Sequence, residues 1–135
     1  RLDALPCVLS DTDEELILKI WFAAPVNIRR LIVASVGSDE EAGADSHPSS
    51  VRCFTGPAAE GLGFDSMADS QPAQVIELAV NPEATAFSQC TPRPFTQVCF
   101  VLLHFPGNHG GVEQTRVSYI GLQGEHSHTK RQAVD

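Results

Sequence analysis

Apolar residues in this chain come in short runs broken by turn-forming residues, and no stretch carries the three- and four-residue spacing of a long amphipathic helix. A chain without helices to cover a sheet has to bury strand against strand. Leu16–Phe22 reads LILKIWF and Val26–Ser35 reads VNIRRLIVAS. The Ala23-Ala24-Pro25 link between them is short enough for a hairpin, and Pro25 favours a turn there. Val51–Thr55 reads as a short strand. Gln74–Val80 alternates strictly, with Ile76, Leu78 and Val80 forming one apolar face. Gln97–Phe105 and Thr115–Leu122 are rich in β-branched and aromatic residues, which suits strands. Phe64–Ser70 reads as one or two helical turns stopped by Pro72. The expected fold is an all-β antiparallel sandwich. Its connectors are Gly37–Ser50, Thr55–Gly63, the Pro-rich Cys90–Phe95 and the Gly-rich Phe105–Gly111.

The chain's 135 residues are one domain's worth, and the fold is assigned to residues 1–124 with a polar tail over 125–135. Its net charge of −8 sits in two places. Residues 1–18 hold Asp3, Asp11, Asp13, Glu14 and Glu15 against Arg1 alone. Residues 38–45 hold Asp39, Glu40, Glu41 and Asp45 with no base, and the rest is balanced. Nucleic-acid and anionic-membrane binders carry basic faces, so neither partner is expected. The Gly37–Ser50 segment lacks hydrophobic period and reads as a mobile acidic loop that includes His47. The Ser10–Glu15 run reads as a turn leading into the first long strand, with partner docking and calcium binding as the other readings. The EF-hand pattern is absent from it.

The four cysteines, Cys7, Cys53, Cys90 and Cys99, form no CxxC pair, so thioredoxin-like redox and zinc-ribbon motifs are missing. Cys53 and Cys99 lie in apolar runs, and the expectation is reduced, buried thiols in an intracellular protein. Residues 1–15 do not read as a signal peptide, and Arg1 without a preceding Met reads as the start of a portion of something longer. No GxSxG, HExxH, P-loop or GxGxxG motif occurs. The Glu125-His126-Ser127-His128 stretch falls short of four metal ligands and reads as solvated tail. Trp21 and Tyr119 lie in strands, Trp21 as a core or half-buried residue rather than a sugar platform. No catalytic, cofactor-binding or metal-binding residue and no cofactor is expected, and the chain is taken as a monomer.

Three blocks in order carry a resemblance: Ser10–Val33 (SDTDEELILKIWFAAPVNIRRLIV), Leu62–Leu78 (LGFDSMADSQPAQVIEL) and Thr115–Gly121 (TRVSYIG). Together, over about residues 9–124, they resemble the PITH domain, a proteasome-interacting module also found fused behind a thioredoxin. The matching positions are Asp11, Asp13, Glu14 and Leu16, then Phe64, Asp65 and Pro72, then Thr115, Arg116, Ser118 and Tyr119. With no thioredoxin or CxxC in the chain, the resemblance is to the stand-alone branch. It implies a jelly-roll sandwich of the galactose-binding-like type without a sugar site. It also implies a non-enzymatic, cytosolic or nuclear protein that associates with the 26S proteasome through its regulatory particle. Leu16 and Tyr119 are expected to pack, and Arg116 to pair with the acidic turn. Asp11, Asp13, Glu14, Glu15 and Arg116 are the candidate partner-binding residues. The alternative is a small-ligand or glycan-binding jelly-roll module.

Overall fold

The computed structural model describes residues 8–9, 14–35, 45–80 and 86–126. It is all-β and antiparallel, with strands β1 (Val8–Leu9), β2 (Leu16–Ala34), β3 (Ser50–Thr55), β4 (Gln74–Glu77), β5 (Ser88–Gln89), β6 (Val98–Phe105), β7 (Arg116–Val117) and β8 (Tyr119–His126). Two short 3-10 helices, Pro57–Gly61 and Phe64–Asp69, join β3 to β4. The second falls where the helical turns were expected.

The expected hairpin at Ala23-Ala24-Pro25 does not form: Leu16–Ala34 is one strand of 19 residues. At about 3.3 Å per residue a straight strand of that length would span roughly 60 Å, too long for a domain this size. β2 instead changes partners along its length. Leu16–Trp21 pairs with β6, Val26–Ala34 pairs with β8, and Arg30 and Leu31 also meet β5. Pro25 falls in the interruption of the β2–β6 register between Trp21 and Val26, the kind of irregularity at which a sheet accepts a residue without an N–H. A second irregularity between Ile28 and Arg30 resets the alternation, so that Val26 and Ile28, then Leu31 and Val33, reach the core. That accounts for the broken period in VNIRRLIVAS.

The order β4-β3-β6-β2-β5, with β8 on β2, therefore makes two antiparallel layers that share β2, as in a β-sandwich. Val51, Cys53, Leu103, Phe105, Ile120 and Leu122 are among the residues of the larger core between them. The opposite face of β3 and β6 carries a second core, where Phe54, Phe100 and Leu102 pack on Ala59 and Met67 of the two 3-10 helices. β6 is thus covered on both faces, which explains its nearly unbroken apolar run. Close approach of β8 to β2 demands glycine at position 124, because a Cβ there would lie 1.9 Å from the Asn27 carbonyl oxygen.

Other expectations shift in detail. The Gln74–Val80 strand stops at Glu77; Ile76 is buried as expected, whereas Val80 is exposed. Thr115–Leu122 is divided at Ser118, whose N–H donates to the Ala34 carbonyl. Leu16 is buried and Tyr119 half-buried. β8 continues through Glu125 and His126, two residues into the stretch read as tail, and Glu125 pairs with Arg29 at 2.8 Å. Trp21 is 59% exposed, not core. Cys53 and Cys90 are buried free thiols, but Cys99 faces solvent. His47, assigned to a mobile loop, is fully buried. Cys7, residues 36–44, Ser127 and His128 lie outside the described residues.

Candidate functional site

The alternation that buries Leu16, Leu18 and Ile20 on the larger core puts Glu15, Ile17, Lys19 and Trp21 on the other face of β2, toward the 3-10 helices. Register aligns Ile17 with His104 of β6, and His104 with Arg52 of β3. The polar side chains of this face fasten the helices to the sheet. Lys19 Nζ donates to the Glu60 carbonyl at 2.7 Å, and Trp21 Nε1 donates to the Glu60 carboxylate at 3.3 Å. The Trp21 ring leans on Phe100 with centroids 5.1 Å apart, so the indole sits at the edge of this layer rather than inside it. Arg52 donates to the carbonyls of Met67 at 3.2 Å and Ser70 at 2.9 Å.

Arg52 also reaches His104 Nδ1 at 3.2 Å, and His104 Nε2 lies 2.6 Å from Glu15 Oε2. A guanidinium only donates, so Nδ1 accepts and the proton sits on Nε2, which donates to Glu15. His104 is 3% exposed, and burial holds it below its ordinary range; the Glu15 hydrogen bond and charge oppose that, and Arg52 reinforces it. The histidine is a neutral link between a cation and a carboxylate. A His–Glu pair is half of a nucleophile-activating triad. Here the second ring nitrogen is occupied by Arg52, and among the described residues no hydroxyl or thiol bonds to it. Burial pushes the Cys53 thiol up to about 12 and that of Cys90 up to about 11, so both stay protonated.

The first and third sequence blocks meet at the same end of the sheet. β1 pairs with β7, placing Leu9 opposite Arg116. The Thr115 hydroxyl donates to the Glu14 carbonyl. Leu9 and Glu14 thus both lie against Thr115–Val117. Asn108 of the neighbouring turn braces this region, its side-chain amide donating to the Val112 carbonyl at 2.9 Å and the Thr115 hydroxyl at 3.0 Å. Of the candidate partner-binding residues, Asp11 and Asp13 lie outside the described residues. Glu14 is exposed, Glu15 is engaged by His104, and Arg116 Nε is buried without a hydrogen-bond partner among the described residues. Sequence reasoning missed Arg52 and His104; the signal was a charged or polar residue set inside each apolar run, VRCF and LLHF.

His47 joins this end from the segment before β3. Burial first, and then the neighbouring His109, hold it below its ordinary range, against raising hydrogen bonds to the Pro48 and Val33 backbone. At the opposite end of β6 lies an open cleft of about 390 Å³, lined by Thr55, Pro57, Glu60, Thr96, Cys99 and Phe100 among others. Among the described residues no three His, Cys, Asp or Glu side chains cluster as a metal centre, and no helix is long and apolar enough to cross a membrane.

The family model described as the PITH domain matches residues 1–135. PITH domain-containing protein 1 of Danio rerio is 34% identical over 134 residues, covering 99% of this chain and 59% of the relative. The Homo sapiens protein of the same name is 32% identical over 136 residues, again covering 99% and 59%. That of Dictyostelium discoideum is 27% identical over 135 residues, covering 100% and 62%. The chain therefore spans about three fifths of the length of these curated relatives.

Proposed function

This chain belongs to the PITH domain family, and from that premise we propose that it is a non-enzymatic protein-interaction domain that associates with the 26S proteasome through the regulatory particle, in the cytosol or nucleus. One observation carries the choice of face: the Glu14 carbonyl accepts from the Thr115 hydroxyl beside β7, which itself pairs with β1, so segments distant in sequence meet at one end of the sheet. The exposed Glu14 carboxylate at that end suits a partner with a basic patch, whose attraction steers encounter and weakens with salt. Glu15 is occupied by the fold, so Asp11, Asp13 and Glu14 are the docking candidates. The absence of an activated nucleophile at His104 among the described residues supports a binding role over a hydrolytic one.

The small-ligand alternative would use the cleft at the other end. Phe100, its aromatic wall, is itself buried, and the exposed Trp21 beside it offers a platform for a single ring. Both features are sparse for oligosaccharide stacking. Affinity purification of the full-length protein from cell extract is the test. Enrichment of 26S proteasome at low salt that declines with added salt is expected; no enrichment at low salt refutes the reading.

A further inference from the structure

β3 and β6 run side by side only as far as Thr55, which stands opposite Val101. Gly56 then turns the chain out of the sheet with φ 97°, a conformation glycine adopts freely, and Pro57 begins the first 3-10 helix. Continued register would set Pro57 opposite Cys99, where a residue without an N–H cannot extend the ladder. On the β2 side the pairing passes from Trp21 and Phe100 straight to Val26 and Val98, so no residue of β2 stands opposite Cys99. Among the described residues, Val98–Phe100 at the start of β6 therefore have no strand beside them on the β3 side. Gln97 holds this start in place, with a left-handed φ of 57° and its N–H donated to Asn27 Oδ1 at 2.9 Å.

Val98, Cys99 and Phe100 line the open cleft of about 390 Å³, so this strand edge borders a space rather than another part of the fold. Thr55, Pro57 and Glu60 line the cleft from the β3 side, and Cys99 is exposed. An unpaired strand edge is a template for a further extended chain. At roughly 3.3 Å per residue, the three residues of β6 match a peptide stretch about 10 Å long. The surroundings select among peptides. Among the described residues Glu60 is the one charged side chain that lines the cleft. Its carboxylate accepts from the Trp21 indole, and Lys19 is turned to the Glu60 backbone carbonyl rather than to that carboxylate. Trp21 is largely exposed and leans on Phe100 at the rim. An aromatic face beside a carboxylate suits a guanidinium, which stacks on the first and pairs with the second.

We propose that the edge of β6 at Val98–Phe100 binds an extended, arginine-containing peptide segment by strand addition. The peptide takes the place that β3 leaves at Gly56, antiparallel to β6, with its arginine against Glu60 and over Trp21. Main-chain hydrogen bonds supply the affinity and the arginine supplies the selectivity. This site is separate from the acidic end of the sheet and receives a different segment.

The test selects, on the full chain with Cys7→Ser, from a pool of acetylated and amidated pentapeptides that carry arginine at the centre and Val, Ile, Thr or Tyr at the other positions. The most enriched peptide is then titrated into ¹⁵N-labelled protein. Its binding is expected to shift the amides of Thr55 and Val98–Phe100 and, at saturation, to slow alkylation of Cys99 about tenfold or more. The same peptide N-methylated at the arginine and at the residue after it cannot pair on either of its edges and should bind about tenfold more weakly. Glu60→Gln, which keeps an acceptor for Trp21 but loses the charge, should weaken the parent peptide about threefold with an unchanged melting curve. No enriched peptide, amide shifts confined to another edge of the sheet, or equal binding of the N-methylated peptide overturns the proposal. Loss of Cys99 reactivity with rising protein concentration and no peptide present also overturns it, and assigns the edge to a second copy of this chain.

Discussion

Arg52→Ala is the perturbation that most sharply tests how the second sequence block is held to the sheet. Arg52 donates three hydrogen bonds: to the Met67 carbonyl at 3.2 Å, the Ser70 carbonyl at 2.9 Å and His104 Nδ1 at 3.2 Å. Bonds from a charged donor are worth about 1.5–3 kcal/mol each when well shielded. Arg52 is only half-buried, so water replaces part of each, and about 1 kcal/mol per bond is the appropriate scale. The expected loss is about 3 kcal/mol. Unfolding entropy of about 2.1 cal/mol/K per residue over 135 residues converts this to a fall of about 10 °C in Tm. Arg52→Lys should fall between, because one ammonium cannot reproduce a planar fork that spans two carbonyls and an imidazole. The loss should also shrink below about pH 6, since removing the cation lets His104 take a proton and pair more strongly with Glu15. Thermal melts followed by circular dichroism at pH 7.5 and pH 5.5 measure both effects. A Tm within about 2 °C of the parent for Arg52→Ala would refute the assignment of this residue as the clamp on the second helix.

Other outcomes follow from the same structure. Gly124→Ala should prevent folding or cost more than about 4 kcal/mol, because the new Cβ meets the Asn27 carbonyl oxygen at 1.9 Å, whereas Gly61→Ala meets nothing within 4 Å and should be tolerated; soluble yield and urea midpoints compare them. His104 binds its proton less readily folded than unfolded, so stability should be full above about pH 6.5 and fall as pH drops below it; His104→Gln, which can still donate to Glu15 and accept from Arg52, should flatten that slope in urea titrations. With Cys7 replaced by Ser, a thiol reagent should modify Cys99 rapidly and Cys53 and Cys90 only on unfolding, and three fast thiols would contradict the burial.

The strands were legible where one rule sufficed. Ile76 faces the core as period-2 alternation requires, and the β-branched and aromatic content of Gln97–Phe105 marked the strand β6. The hairpin failed because Pro25 and the small residues beside it signal a turn locally, while the pairing of β2 with β6 on one side and β8 on the other is decided by the whole sheet. The candidate site was half legible. The acidic turn and the TRVSYIG block were recognised as separate segments, and the hydrogen bond from the Thr115 hydroxyl to the Glu14 carbonyl joins the described end of one to the other. Arg52 and His104 escaped because their chemistry depends on lateral register, which places residues 52 apart in sequence within one hydrogen bond. His47 escaped for a related reason: its polar, acidic neighbourhood in sequence gives no sign of the turn at 105–110 that packs over it.

The proposed docking face is the acidic end of the sheet, rather than the cleft at the opposite end. Site-specific photo-crosslinking measures this directly, with a benzophenone side chain placed at Glu14 in one full-length variant and at Thr96, in the cleft wall, in another. After irradiation in cell extract, the variant carrying the probe at position 14 should give adducts with regulatory-particle subunits that diminish with added salt, and the variant probed at position 96 should give none. Adducts from position 96 without any from position 14 would refute docking through the acidic end.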